Sequence, residues 1–282
     1  PAIAVLPFKN LSNDEEQEYF ADGITEDIIA NLSLWKTFPV ISRNSSFSFK
    51  NSTEKSDVIS KALGARYLVE GSVRKAGNKV RITAQLTSAD DDKQIWSKRW
   101  DRSLEDIFEV QDEVSRDVAA LISPALKDQE QVKLSTKGKK NFGAWDEYLQ
   151  GLNIYNTENF AGSTSGDKVI EHCKRAIELD ANFCDAYVLY CNVLQGMIYS
   201  HEHQDKREEN TKLFHQMAQK AVDTDPENPD AMSSLSMSYS IKKDLNKRLE
   251  TAEKALELNP SHPRSNFSYG QALTNFGRNE EA

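Results

Sequence analysis

The chain has 282 residues, 38% hydrophobic and 28% charged, which is long enough for two ordinary cores and too rich in recurring aromatic and β-branched residues for a disordered chain. Its formal charge is -9 at pH 7, and neither half has the basic excess that neutralising nucleic-acid phosphates requires. Residues 1–171 contain neither His nor Cys, which excludes Ser-His-Asp and Cys-His catalysis there, and zinc held by imidazole or thiolate.

In chain order, the apolar run Ile3 to Phe8 ends in the polar turn KNLSNDEE and predicts a first buried strand. Phe20, Ile24, Ile28, Leu32 and Trp35 follow at helical spacing, with Glu18, Asp22 and Glu26 on the opposite face. These acids lie toward the helix N-terminus, where the macrodipole favours negative charge, so they are expected to be solvated and to start the helix. A pair one turn apart on a wet face does not give the two facing carboxylates that a hydrolase needs. Phe38 to Arg43 is the next predicted strand. A short helix over SDVISKALG takes Ser56 or Asp57 as N-cap and Gly64 as C-cap.

Val80, Ile82, Ala84 and Leu86 alternate with polar residues, which predicts a half-buried strand, and Gly77-Asn78 marks the hairpin turn before it. The tip of this hairpin is basic (Arg74, Lys75, Lys79, Arg81) but has no interleaved aromatic, so it reads as a solvated strand face. KQIWSKRW is a further strand. A closing helix is predicted from Asp101 to Leu126, with Ser103 as N-cap and Leu104, Ile107, Phe108, Val110, Val114, Val118, Leu121 and Ile122 as its buried stripe. Residues 128–141 lose all periodicity and predict a linker between an α/β domain over 1–127 and a helical region over 142–282. No glycine-rich phosphate loop of either common pattern occurs, so no nucleotide or other cofactor is expected.

In the second half, the runs starting at Cys173, Ala218 and Ala252 align without gaps at offsets of 45 and 34. A period of 34 with helix-turn-helix content is the tetratricopeptide signature, and 45 is that period plus an insertion of 11, placed around Met197 to Asp205. Ala176, Ala221 and Ala255 fall at the small position of the second helix of each repeat, and Trp145, Tyr187, Met232 and Asn266 at the large position of the first. About three and a half repeats are expected. Their concave face would be lined by Asn192, Gln195, Met237, Ile241, Arg264, Phe267, Gln271 and Thr274. His201-Glu202-His203 with His215 is metal-like in composition but lacks a third donor at a fixing distance, so no metal is expected. The three cysteines (Cys173, Cys184 and Cys191) are odd in number and sit in helices, which suits packing in a reducing compartment; a cytoplasmic location is expected.

The runs AIAVLPF, EYFADGITEDIIANLS, VISRNSSFSFK, LGARYLVEGSVRKAGNKVRITAQL and IWSKRWDRSLEDIFEVQDEV, in this order, resemble the TolB-like N-terminal domain. The resemblance covers about residues 1–125 and implies an α/β domain with a mixed sheet. In bacteria such domains stand between an N-terminal output domain and tetratricopeptide repeats. That output domain is a class III adenylate or guanylate cyclase, or else a winged-helix DNA-binding domain. The resemblance therefore implies a non-catalytic regulatory and interaction region of a larger signalling protein, with a cyclase as the first expectation and a winged-helix regulator as the alternative. The chain opens without a starting Met or a signal peptide and contains no apolar run of spanning length, so a fragment without membrane contact is expected. Its expected partners are a protein or peptide in the groove and the output domain of the same chain, with a homodimer left open. The Lys/Asn carboxylate clamp of some chaperone-binding repeats is not reproduced: only Asn192 stands in a comparable place.

Overall fold

The computed structural model describes residues 2–12, 14–35, 38–89, 93–122, 141–158, 163–260 and 262–278. They fall into two compact units, Pro1–Phe142 and Gly143–Ala282. The predicted linker lies outside the described residues, Asn141 apart. No helix among the described residues is long and apolar enough to cross a membrane.

The first unit is built on a mixed sheet. Strands β1 (Ile3–Val5) and β2 (Lys9–Asn10) both run parallel to β3 (Tyr67–Ala76), and β3, β4 (Lys79–Ser88) and β5 (Lys93–Ser103) form an antiparallel meander. The run Ile3 to Phe8 is thus shorter as a strand than predicted. It breaks at Leu6-Pro7-Phe8 because Pro7 has no N–H to give the ladder. Phe8 turns its N–H off the sheet, where the hydroxyl of fully buried Thr25 accepts it at 2.9 Å; that hydroxyl donates in turn to Ala21 O at 2.9 Å. The Phe8 ring then lies over Gly71 of β3, where a side chain of any size would meet it.

Helix α1 (Glu18–Ser33) and α4 (Ile107–Ile122) cover the face carrying Val5, Val69, Val73, Val80, Ile82, Leu86 and Trp100. The predicted stripe Phe20, Ile24, Ile28, Leu32 and Trp35 is buried, each such side chain contributing about 1.5 to 3 kcal/mol. On the other face Ala4, Leu6 and Leu68 meet Ile59 of α3 (Ser56–Leu63), so β1 is apolar at every position because it is covered on both sides. Along β4 buried and exposed residues alternate as predicted, and the two-residue Gly77-Asn78 turn closes the hairpin with Gly77 at φ 57°.

Three local expectations are corrected. Residues 38–43 do not form a strand: only Val40 bridges Ile3, and Arg43–Phe47 is a short helix, α2, capped by Ser42, whose hydroxyl accepts from Ser45 N. The N-cap of α3 is Lys55 in extended conformation, not Ser56 or Asp57, whereas Gly64 ends the helix in the left-handed region as expected. Asp101 to Ser103 belong to β5, because Arg81 opposite pairs with Asp101 and extends the ladder; a 3₁₀ turn, Leu104–Asp106, precedes α4. Leu121 is consequently exposed and Phe108 only half-buried, and residues 123–126 lie outside the described residues.

The second unit is a succession of helix hairpins: α5 (Phe142–Thr157) with α6 (Ser163–Leu179), α7 (Cys184–Tyr199) with α8 (Arg207–Thr224), α9 (Pro229–Ile241) with α10 (Leu245–Leu258), and then α11 (Pro263–Thr274). Each of α7 and α9 packs on its own hairpin partner and on the first helix of the next hairpin, a pattern that lets every hairpin bury its apolar face against a neighbour. Ala176, Ala221 and Ala255 are fully buried, where a larger side chain would push the helices apart. Asn228 caps α9 by accepting from Asp230 N and Ala231 N, and Pro229 fits its first turn. The insertion is not a loop. It is taken up by a longer α7 (16 residues against 13 in α9), by a 3₁₀ turn over His201–Lys206, and by a longer α8 (18 residues against 14 in α10).

Candidate functional site

Of the acids of α1, Glu18 is solvated as expected, whereas Asp22 and Glu26 are partly buried in ion pairs. Lys50 Nζ bonds both oxygens of Asp22 (2.7 and 2.6 Å) and lies 3.1 Å from Glu18, and Arg43 Nε bonds Glu26 at 2.8 Å. Burial raises the Asp22 carboxyl above its ordinary range, and the bonds from Lys50 offset this only in part. The cluster fastens α2 and the turn after it to α1. Replacing Lys50 by Met, which strands Asp22 beside Glu18, is expected to cost about 1 to 2 kcal/mol. Asp22→Asn keeps an acceptor for Lys50 and is expected to cost less than about 1 kcal/mol. Urea unfolding of both variants checks the order; equal losses would contradict it.

On α4, Glu113 accepts from Trp100 Nε1 (2.8 Å) and Lys98 Nζ (3.1 Å), and Asp117 also takes Lys98 (3.0 Å). The Trp100 bond, together with Lys98, holds the Glu113 carboxyl below its usual range. Both acids fasten β5 to α4.

In the helical unit, a cavity of about 480 Å³ opens on the side formed by the first helices of successive hairpins. Tyr155 of α5, Asn192, Gln195, Gly196 and Tyr199 of α7, Ser233 and Met237 of α9, and Arg264, Phe267 and Ser268 of α11 line it. Of the residues expected on the concave face, the cavity brings together Asn192, Gln195, Met237, Arg264 and Phe267. Ile241, Gln271 and Thr274 stand outside its lining: the Gln271 side chain accepts from Arg248, and the Thr274 hydroxyl bonds back to Gly270 O. Tyr199 and Phe267 are 60% and 62% exposed.

Tyr155, Gly196, Tyr199, Ser233 and Ser268 were not foreseen. Ser233 could have been, because it lies 34 residues before Phe267 and so occupies the same register; Gly196 likewise lies 45 before Ile241. Tyr199 falls in the inserted stretch, beyond the aligned blocks.

Arg264 is not idle in the wall. Its Nη2 donates to Ser234 Oγ at 3.0 Å, and Nη1 lies 3.6 Å from Asp230, which also holds His262 Nε2 at 3.3 Å. Burial pushes the Asp230 carboxyl up, but His262 and Arg264 outweigh this and leave it lowered.

His215 bonds Ser238 Oγ through Nδ1 (2.8 Å) and stacks edge-on with Tyr239. Among the described residues no group of three His, Cys, Asp or Glu could hold a metal. Burial, then Lys242 and Lys247, lower the His215 affinity for a proton. Its folded value therefore lies below its unfolded one, so its share of stability is complete above about pH 6.5 and is lost as the pH falls toward the folded value. His215→Gln should flatten the pH dependence of the melting temperature below pH 6.5, and an unchanged slope would refute this. Cys173, Cys184 and Cys191 are buried free thiols, Cys191 pushed up to about 12 by burial, and they serve packing.

No protein-family model matches the sequence. Over 255 residues, 90% of its length, the chain is 36% identical to "Putative adenylate cyclase 3" of Rhizobium meliloti (strain 1021), of which it spans 42%. Solved structures similar to it include TolB from Acinetobacter baumannii (18% identity, 44% of this chain and 28% of that one, TM-score 0.34). Others are the C-terminal domain of LpoB from Salmonella enterica (18%, 36% and 82%, TM-score 0.31) and a thermophilic TPR protein of Thermus thermophilus (14%, 63% and 84%, TM-score 0.41). At these scores the structural likenesses carry no argument.

Proposed function

We propose that the helical unit is a tetratricopeptide array whose concave face holds an extended peptide of a partner protein, and that the chain is the non-catalytic regulatory region of a larger bacterial signalling protein with an adenylate cyclase output. The observation that supports the first part is the composition of the cavity: the first helices of three successive hairpins, and α11 after them, each give at least one residue, two exposed aromatics line it, and amides and hydroxyls line it with them. That is the mixture by which an interface anchors aromatic or apolar side chains while pairing the polar atoms of a backbone. The cyclase output rests on the named relative, of which the chain spans 42% and would form a regulatory part that begins with a TolB-like domain at 1–127.

The test uses the full-length protein. It is expected to form cyclic AMP from ATP, and Tyr199→Ala with Phe267→Ala is expected to weaken binding of its protein partner by a hundredfold or so, the loss of two exposed aromatic anchors, with melting temperature unchanged. No cyclic nucleotide formed by the full-length protein would overturn the cyclase reading. Undiminished partner binding by the double variant would overturn the groove.

A further inference from the structure

Among the described residues, one cation next to the groove has no counter-charge. Arg248 of α10 is 5% exposed. Its Nη1 donates to Ser240 Oγ at 2.8 Å and its Nη2 to Gln271 Oε1 at 3.3 Å, both neutral acceptors, while buried Nε has no partner. No described carboxylate lies within ion-pair distance of it. A guanidinium stays charged in a protein, and a buried one held only by neutral dipoles is poorly compensated for the water it has lost. Burial accordingly lowers its proton affinity, and the titratable group acting on it is the Tyr199 phenol.

This cation stands behind the cavity lining, next to one end of it. Tyr199 is itself a lining residue. Ser240 follows the lining residue Met237 by three positions on α9, and Gln271 follows Phe267 and Ser268 by four and three on α11, so each stands about one turn beyond the wall, just outside the lining. Among the described residues the lining contains no Asp or Glu, and the one charged residue in it, Arg264, is also a cation. Asp230 balances Arg264 from behind; no described acid balances Arg248.

Resting on the peptide-groove reading, we propose that the occupant is an acidic peptide, which sets an Asp or Glu side chain at the Tyr199 end of the groove, nearest Arg248, and an apolar side chain between Tyr199 and Phe267. The carboxylate supplies the missing counter-charge, and a low-dielectric wall strengthens its attraction relative to a surface pair. A neutral or basic peptide would leave the cation uncompensated or repel it, so selectivity comes from charge at this one end.

The experiment uses an array of random octapeptides joined to the support through their C-termini, so that only side chains present carboxylates, probed with the full chain. Bound peptides are expected to be enriched in Asp or Glu next to an apolar residue, and the enrichment should fade between about 50 and 500 mM salt. Gln271→Glu, nearly isosteric, gives Arg248 an internal carboxylate through the bond already present; it should fold at least as stably and lower affinity for the selected acidic peptides on the order of tenfold or more. Arg248→Met should have the same effect on affinity, with an equal or higher melting temperature. Enrichment of neutral or basic peptides that depend on Tyr199 and Phe267 would overturn the acidic preference and leave the groove standing. Peptide binding indifferent to Tyr199→Ala/Phe267→Ala, or no peptide bound, would overturn both. Acidic peptides held equally well by Gln271→Glu and Arg248→Met would place the charge recognition elsewhere and overturn the role of Arg248.

Discussion

Replacing Gly71 by Ala is expected to destabilise the chain by about 2 to 3 kcal/mol, at the upper end of what overpacking one methyl group costs. A methyl at this position would sit 2.4 Å from Phe8 Cε2 and 2.5 Å from Thr83 O. The first neighbour is a large ring that is 1% exposed and cannot swing away without leaving its place over the sheet, and the second is the backbone of β4. The ring's position follows from the break at Pro7: the strand leaves the ladder after Val5, Phe8 N–H goes to Thr25, and β2 rejoins β3 at Ser72 and Val73. Phe8→Leu in the Gly71→Ala background should recover only part of the loss, because Thr83 O remains. Urea unfolding followed by tryptophan fluorescence decides. A loss below about 0.5 kcal/mol, or full recovery in the double variant, would show that the strand can shift aside at little cost.

This region also shows where the sequence stops being legible. Periodicity reveals which residues face a core, so the α1 stripe, the alternation along β4 and the repeat register of Ala176, Ala221 and Ala255 could all be read in advance. Periodicity says nothing about partners that are distant in sequence. Lys50 reaches back 28 residues to Asp22 and Arg43 back 17 to Glu26, so acids that look like a solvated helix start are in fact a clasp. The strand expected at 38–43 failed for a related reason: its apolar residues pack through one bridge to Ile3 and through loop backbone, and burial alone does not require a ladder. In the groove, register arithmetic found Asn192, Met237 and Phe267 but could not find Tyr199, since the lengthened α7 carries it past the repeat. Nor could it show that Arg248, on a second helix, lies behind the wall. A charged residue at a packing position of an otherwise periodic helix was the one available signal.

Phe214→Ala is expected to have the largest effect, about 3 to 5 kcal/mol, the range for emptying a fully enclosed aromatic site. Phe214 of α8 has no exposed surface and belongs to a continuous cluster with Val169 and Cys173 of α6, Leu189, Val193 and Leu194 of α7 and Leu235 of α9. Residues of three hairpins therefore share one core cluster with this ring. The site has little means of collapse, because its neighbours include buried thiols whose sulfurs already touch backbone carbonyls, Cys191 Sγ standing 3.9 Å from Phe214 O itself. In a stacked array each hairpin is stabilised by its neighbours, so loss at a shared site weakens both interfaces of the α7–α8 hairpin together. Amide exchange should accordingly speed up in α6, α7, α8 and α9 alike. A change confined to α8 would mean that the hairpins are independently stable and that Phe214 fills space without joining them. Phe214→Leu, which keeps most of the volume, should cost less than half as much; an equal cost would mean that ring shape, and not the filling of the cavity, holds the hairpins together.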